Sequence, residues 1–136
     1  MAERKMLTIQ GIDYSERGVH PIPMGARVGS LIVSSILTGT DPGTRELPPN
    51  VEGQAEVLFR NISTLMEDAG GTVDDIARVT FFVQSKQMHR PAIDVEWEKM
   101  FPAGGFRPAR IVLEVAPQGS PLIQAEVIGL LTNGGD

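Results

Sequence analysis

The sequence predicts an α+β fold in which two helices pack on one face of a mixed β-sheet. Apolar residues alternate with a period of two in several short segments, and they change to three- and four-residue spacing in two longer ones. These segments follow one another as strands, helix, strand, helix, strand, strand, with turn-rich stretches between them. The length of 136 residues favours a single domain over residues 1–136.

The first strands are predicted near the N-terminus. Residues 6–11 (MLTIQG) are a short strand candidate, followed by a loop rich in glycine, proline and charge that ends in HPIPMG. Residues 26–28 and 31–38 are predicted to form a hairpin around the Gly29-Ser30 turn. Residues 39–49 (GTDPGTRELPP) then form a turn-rich loop.

Residues 51–69 are the best helix candidate, because their apolar side chains fall on one stripe. Asn50 is a suitable N-cap, and the glycine pair that follows residue 69 ends the helix. Residues 72–75 (TVDD) resemble a capping box that opens a single turn. Pro91 favours the first turn of a second helix, which is predicted to run to about Met100.

Three more strands are predicted at residues 77–83, 107–115 and 122–131, and we expect the last two to pair as a hairpin. In that hairpin one apolar face would be covered by the helices, and the other face would mix polar and apolar side chains. The predicted helix-facing residues are Ile111, Leu113, Val115, Ile123, Ala125 and Val127. The predicted mixed face carries Arg110, Val112, Glu114, Leu122, Gln124, Glu126 and Ile128.

This mixed face indicates a binding site for a small anionic metabolite. The planar fork of Arg110 on a rigid strand would match the two oxygens of a carboxylate. The alternative is a structural ion pair with Glu126 on the neighbouring strand, because cross-strand charge pairs are common. Both interpretations hold together if Glu126 orients the guanidinium. A mixed face on a central strand also suits an interface with polar pockets, which predicts oligomerisation.

Composition excludes several classes of protein. The net charge of −5 disfavours a nucleic-acid binder, and no apolar run approaches the roughly 18 residues of a membrane span. The absence of cysteine excludes disulfides, thiolate catalysis and cysteine metal sites. His20 and His89 are far apart, which disfavours a histidine metal centre. The N-terminal segment lacks an apolar stretch of signal-peptide length, so we expect a cytoplasmic protein without nucleic-acid or membrane partners.

Seven segments resemble, in order, the Rid family, the reactive intermediate deaminases also called the YjgF family. They are HPIPMGARVGSLIVSS, TGTDPGTRELP, QAEVLFRN, EDAGGTVDDIARVTFFV, VEWEKMFP, RPAR and QAEVIG, within residues 19–131. The resemblance implies a chorismate-mutase-like fold, assembled as a homotrimer around a central β-barrel with pockets between neighbouring subunits. It also implies hydrolysis of small carboxylate-bearing enamines or imines to a keto acid and ammonia, without a metal or an organic cofactor.

The resemblance assigns roles to particular residues. Arg110 matches the arginine of the PAR motif, which grips the substrate carboxylate, and Ser35 matches a serine that lines the same pocket. Three positions depart from the family pattern. Ile36 stands where a glycine is expected, and Ile22 replaces a tyrosine of the deaminase branch. Gln124 replaces a glutamate that is thought to position water.

These departures change the expected chemistry. Imine hydrolysis needs a proton on the nitrogen and a water aimed at the carbon. Gln124 can hold that water but cannot take a proton, so His20, near the missing tyrosine, is the candidate for proton transfer. Glu126 matches the second glutamate of the family, and Ile22 and Ile36 make the pocket more apolar.

We therefore predict Gln124 and His20 as catalytic residues, and the other five as substrate-binding residues. Those five are Arg110, Ser35, Ile36, Ile22 and Glu126. Two candidate functions, which belong to different classes, are compatible with these residues. The first is hydrolytic deamination, and the second is a non-catalytic protein of the same fold that binds small carboxylates or serves as an interaction protein. Ribonuclease activity is disfavoured by the acidic balance of charge.

Overall fold

Seven short strands and two helices form in the part of the chain that the computed structural model describes, residues 3–11 and 22–132. They are β1 (Arg4–Leu7), β2 (Gly25–Val28), β3 (Leu31–Ser34), β4 (Leu37–Thr38), α1 (Val51–Asp68), β5 (Ile76–Val83), α2 (Lys86–Met100), β6 (Ala109–Glu114) and β7 (Ile123–Leu130). A 3₁₀ turn, Val73–Asp75, precedes β5. The predicted α+β class is confirmed.

The strands join one sheet in the order β1-β2-β3-β7-β5-β6, and β4 also pairs with β7. All neighbouring pairs are antiparallel except β5 and β6, which run parallel with α2 as the crossover between them. A parallel pair needs a long connection of this kind, which is most often a helix. Because β5 lies between β6 and β7, the predicted hairpin of the last two strands is wrong.

The parallel pairing reverses the predicted faces of β6. Arg110 lies level with Val79, whose side chain points into the core beneath the helices. Arg110 and Glu114 therefore face the helices. Ile111 and Leu113 lie on the opposite face and are 38% and 44% exposed, so the prediction that helices cover them is wrong. The reason is that β5, and not a hairpin turn, sets the register of β6.

The core lies between the sheet and the two helices. On β7 the predicted helix-facing residues Ile123, Ala125 and Val127 are each at most 1% exposed, which confirms the alternation of this strand. The largest fully buried side chains are Phe81, Leu7, Ile32, Leu37, Leu58, Ile62, Leu65, Met66, Ile93, Ile123, Val79 and Val83. Within the described ranges, neither helix is long and apolar enough to cross a bilayer.

The face of the sheet away from the helices is here called the open face. Strand pairing assigns to it Met6, Val28, Leu31, Val33, Arg78, Thr80, Phe82, Ile111, Leu113, Gln124, Glu126, Ile128 and Leu130. Several of its large apolar side chains remain between 38% and 50% exposed, namely Val28, Leu31, Val33, Ile111, Leu113 and Leu130. The open face thus carries a set of large apolar side chains that the described part of the chain leaves exposed.

Capping explains where α1 begins and ends. The side chain of Asn50 accepts a hydrogen bond from the Gly53 N–H at 2.8 Å, as predicted for the N-cap. The helix ends at the cap residue Ala69, and Gly70 then adopts a φ of +92°, a conformation that favours glycine. The capping box predicted at residues 72–75 is also present.

The second helix starts earlier than predicted. It begins at Lys86, because the Ser85 side chain accepts from the Met88 N–H at 3.2 Å and provides a cap upstream of Pro91. Glu114 also accepts from the Lys86 N–H at 2.8 Å, which places a carboxylate at the positive end of the helix dipole. Pro91 therefore lies inside α2 and not in its first turn.

Two buried amide side chains of α1 hold the strands beneath them. The Asn61 amide donates to the carbonyl oxygens of Thr38 and Thr40, both at 3.0 Å. The Gln54 side-chain oxygen accepts from the Leu122 N–H at 2.9 Å. Buried amides need such partners, and here the partners belong to β4, the loop after it and the residue just before β7. The amides of α1 thus position the strand ends that carry the predicted site.

A β-bulge interrupts the strand predicted over residues 31–38. Val33 pairs with Ile128 of β7, whereas Leu37 pairs with Ala125, so the register shifts by one residue between β3 and β4. The Ser34 hydroxyl fills the gap by accepting a hydrogen bond from a backbone N–H of β7 at 2.8 Å. The bulge re-aims the side chains that follow it.

We expect Asn61→Ala to lower the free energy of unfolding by about 2 kcal/mol, because two partly buried carbonyl groups lose their donor. Urea denaturation checks this expectation. Thr64→Ala is the control, since its hydroxyl bonds only within the exposed side of α1 and its loss should change stability by at most about 0.5 kcal/mol. Equal stabilities of the two variants would contradict the positioning role of Asn61.

Candidate active site

Arg110 lies on the edge strand β6, and its guanidinium is packed on two aromatic rings. Its Cζ atom is 5.1 Å from the centroid of the Trp97 ring and 5.8 Å from that of Phe81. Cation–π contacts of this kind attract the guanidinium to the rings. The Arg110 side chain is still 21% exposed. The rings therefore hold a cation in place at an accessible edge of the sheet.

The ion-pair partner of Arg110 is Asp94 on α2. One Nη atom of Arg110 donates to Oδ1 of Asp94, whose side chain is 50% exposed. Asp94 and Trp97 are three residues apart on the helix, so both reach the same side of it. The predicted alternative partner, Glu126, lies on the open face, so that pairing is wrong. An arginine carries further N–H donors, which suit a second carboxylate.

A cavity of about 310 Å³ lies on the other side of the sheet, at the open face. Ile36, Phe82, Val115, Gln118 and Gln124 line it. Gln124 is directly opposite Phe82 on β5. The structure thus brings the predicted residues Gln124 and Ile36 into one pocket. Val115, predicted beneath the helices, belongs to this pocket instead.

Ser35 directly precedes Ile36, which lines this pocket, and it is hydrogen-bonded to the residue that follows Ile22. The Ser35 hydroxyl donates to the Pro23 carbonyl oxygen at 2.8 Å, and its backbone N–H donates to the Met24 carbonyl at 2.8 Å. These bonds tie the bulge before Ile36 to the segment before β2. Ile22, in that segment, is 49% exposed. The Ser35 hydroxyl therefore has a structural role here, and its oxygen can still accept a bond from a ligand.

The described chain does not bring all predicted site residues together. Gln124 and Glu126 share the open face of β7, as predicted, whereas Arg110 points to the helix face of β6. Arg110 is also level with Val79, while Gln124 is level with Phe82, three residues further along β5. At the rise of a strand, this offset is about 10 Å. The prediction that Arg110 shares a face with Gln124 and Glu126 is therefore wrong.

His20, predicted as a catalytic residue, lies outside the described residues. Among residues 3–11 and 22–132, no group of three or more acidic, histidine or cysteine side chains is arranged to hold a metal ion. Sequence reasoning missed Asp94 and Phe82. Asp94 could have been found from its three-residue spacing to Trp97, because this spacing places the carboxylate beside an inward-facing ring on the helix.

We expect the interaction of Arg110 with Asp94 to stabilise the fold only weakly. Both side chains are partly exposed, so a double-mutant cycle with Arg110→Ala and Asp94→Ala should give a coupling energy below about 1 kcal/mol. Urea unfolding of the four proteins measures it. A coupling of about 3 kcal/mol or more would indicate a buried structural bridge and not an accessible anion site.

The family model described as endoribonuclease L-PSP matches residues 14–127. The chain is 30% identical over 113 residues to a RutC family protein of Haemophilus influenzae, which covers 82% of this chain and 86% of that protein. It is also 30% identical over 99 residues to a protein of Escherichia coli named 2-iminobutanoate/2-iminopropanoate deaminase, covering 72% of this chain and 77% of that one.

The fold gives the same result. The crystal structure of the YjgF gene product from Escherichia coli matches with a TM-score of 0.79 at 26% identity, and the match covers 93% of this chain and 98% of that one. The family model and the structural match each span most of the chain. The chain therefore belongs to the Rid family, also called the YjgF family.

Proposed function

We propose that this protein hydrolyses a small enamine or imine that carries a carboxylate, releasing a keto acid and ammonia. The observation that carries the proposal is Arg110, an accessible guanidinium held on aromatic rings with donors to spare. The relative named 2-iminobutanoate/2-iminopropanoate deaminase supports this substrate class at 30% identity.

In this proposal Arg110 binds the substrate carboxylate, and Gln124 orients a water by hydrogen bonding. Water attacks the carbon of the protonated imine, a carbinolamine forms, and ammonia leaves as the carbonyl is made. Ile36 and Phe82 give the pocket an apolar wall, which suits the carbon chain of the substrate. His20 remains the predicted proton donor. The reaction as proposed uses no metal or organic cofactor and takes place in the cytoplasm.

We also propose a homotrimer in which the open faces form a central barrel and the pockets lie between subunits. Exposed apolar side chains such as Leu31 and Leu113 support a second copy as the cover of this face. The Nε atom of Arg78, also on the open face, is buried without a hydrogen-bond partner among the described residues. Arg110 and Gln124 are apart in one chain, and an edge strand of a neighbour would let them converge.

A non-catalytic carboxylate-binding protein is the second candidate. Gln124 favours it, because an amide cannot accept a proton from the attacking water. Both candidates need Arg110 for the carboxylate, but only the hydrolase needs Gln124 for turnover. A measurement of imine hydrolysis therefore distinguishes the two functions, whereas a measurement of carboxylate binding does not.

We expect the protein to accelerate release of keto acid from 2-iminopropanoate generated in situ by an amino-acid oxidase. Arg110→Ala should lower kcat/KM about 10- to 100-fold, the effect of losing one charge-assisted hydrogen bond. Ammonia and keto acid are measured together. Arg107→Ala is the matched control, because this neighbouring arginine pairs with Glu98 at 2.7 Å and should leave the rate nearly unchanged.

Gln124 supplies the second arm of this experiment. Gln124→Glu should raise kcat if water activation limits the rate, since a carboxylate can take the proton. No acceleration over buffer by either protein, across a panel of imino acids of increasing size, would refute the hydrolase and leave the binding protein.

The assembly is tested by light scattering after gel filtration. We expect a mass of three times the 14.7 kDa chain. Leu113→Glu should shift the mass towards the monomer, because it places a charge on the proposed interface. Val95→Glu is the control, since Val95 is 54% exposed on α2, away from the sheet. A wild-type protein that elutes as a monomer would contradict the trimer.

A further inference from the structure

We infer that Asp94 selects the ligand of this site, so that zwitterions are bound in preference to simple anions. The inference rests on the proposed function, because the ligand class is the carboxylate-bearing imine in its protonated form. Such a molecule carries a carboxylate and a cationic nitrogen on adjacent carbon atoms. Arg110 would bind the first group and Asp94 the second.

The two side chains present opposite charges next to each other at an accessible edge. Arg110 is anchored by Trp97 and Phe81, and one of its Nη atoms donates a hydrogen bond to Oδ1 of Asp94. Half of the Asp94 side chain remains exposed, so a ligand can reach its carboxylate. The pair is therefore a fixed dipole that a ligand with the opposite order of charges would complement.

The charge of Asp94 changes what Arg110 can bind. A monocarboxylate that approaches the guanidinium also approaches the Asp94 carboxylate, and like charges this close repel each other. A zwitterion offers its cationic nitrogen to that same carboxylate, so the repulsion becomes an attraction. The protonated imine is also the reactive form of the substrate. Asp94 would thus favour binding of the form that water attacks.

A second ion pair of α2, between Glu98 and Arg107, offers a comparison with the Arg110–Asp94 pair. Arg107 donates to Glu98 at 2.7 Å, and it also donates to the Phe101 carbonyl at 2.9 Å. Arg110 in contrast is held by two rings and by Asp94. Glu98 is therefore a matched control, because it is a carboxylate on the same helix paired with a different arginine.

The test compares two ligands of equal carbon chain by isothermal titration calorimetry. The zwitterion 2-aminobutanoate should bind the wild-type protein about tenfold more tightly than butanoate. Asp94→Asn should abolish this preference by weakening 2-aminobutanoate and strengthening butanoate, each by about threefold or more. Asp94→Glu should keep the sign of the preference. Glu98→Gln should behave as the wild type, and Arg110→Ala should weaken both ligands.

Each outcome decides the inference. It is overturned if Asp94→Asn keeps the wild-type preference, if Glu98→Gln changes it equally, or if the wild type binds butanoate as tightly as 2-aminobutanoate. Circular dichroism establishes that each variant is folded, and Asp94→Ser provides a second neutral variant. A protein that prefers the zwitterion through Asp94 but does not hydrolyse imines would refute the proposed function alone. Hydrolysis with an unchanged preference in Asp94→Asn would refute this inference alone.

Discussion

The parallel pairing of β6 with β5 is the constraint on which the site depends. The chain leaves β5, crosses the sheet as α2 and returns as an edge strand, so β6 takes its register from β5. That register turns Arg110 towards the helices, where Trp97 and Asp94 meet it. The same crossover thus supplies the strand that carries the guanidinium and the helix that carries its partners.

The opposite side of the sheet is organised from α1. Asn61 and Gln54 hold β4 and the start of β7, and the bulge next to them aims Ile36 towards Gln124. This pocket and the anion site do not meet within the described chain. Under the proposed assembly, another copy of the chain would cover the exposed apolar side chains of the open face.

The chemistry of the proposed site follows from where its charges lie. Arg110 and Asp94 form a dipole at the edge, whereas the pocket around Gln124 offers an amide and apolar walls. The free energy of substrate binding would therefore come mainly from Arg110 and Asp94 at the edge of the sheet. The attacking water would be held by the Gln124 amide, which does not exchange a proton with it. Under the proposed function, His20 remains the predicted proton donor, and the Asp94 carboxylate would favour binding of the protonated imine.

The sequence alone determined the class of fold, both helices, the Asn50 cap and the core alternation of β7, because these depend on local periodicity and short-range hydrogen bonds. It also identified Arg110 and Gln124 as site candidates. Only the tertiary structure decided which strand lies beside β6, and hence which face Arg110 occupies. Strand order depends on contacts between residues that are distant in sequence. The local alternation of apolar and polar residues does not specify these contacts. For the same reason Asp94, which lies 16 residues before Arg110, emerged as its partner only in the fold.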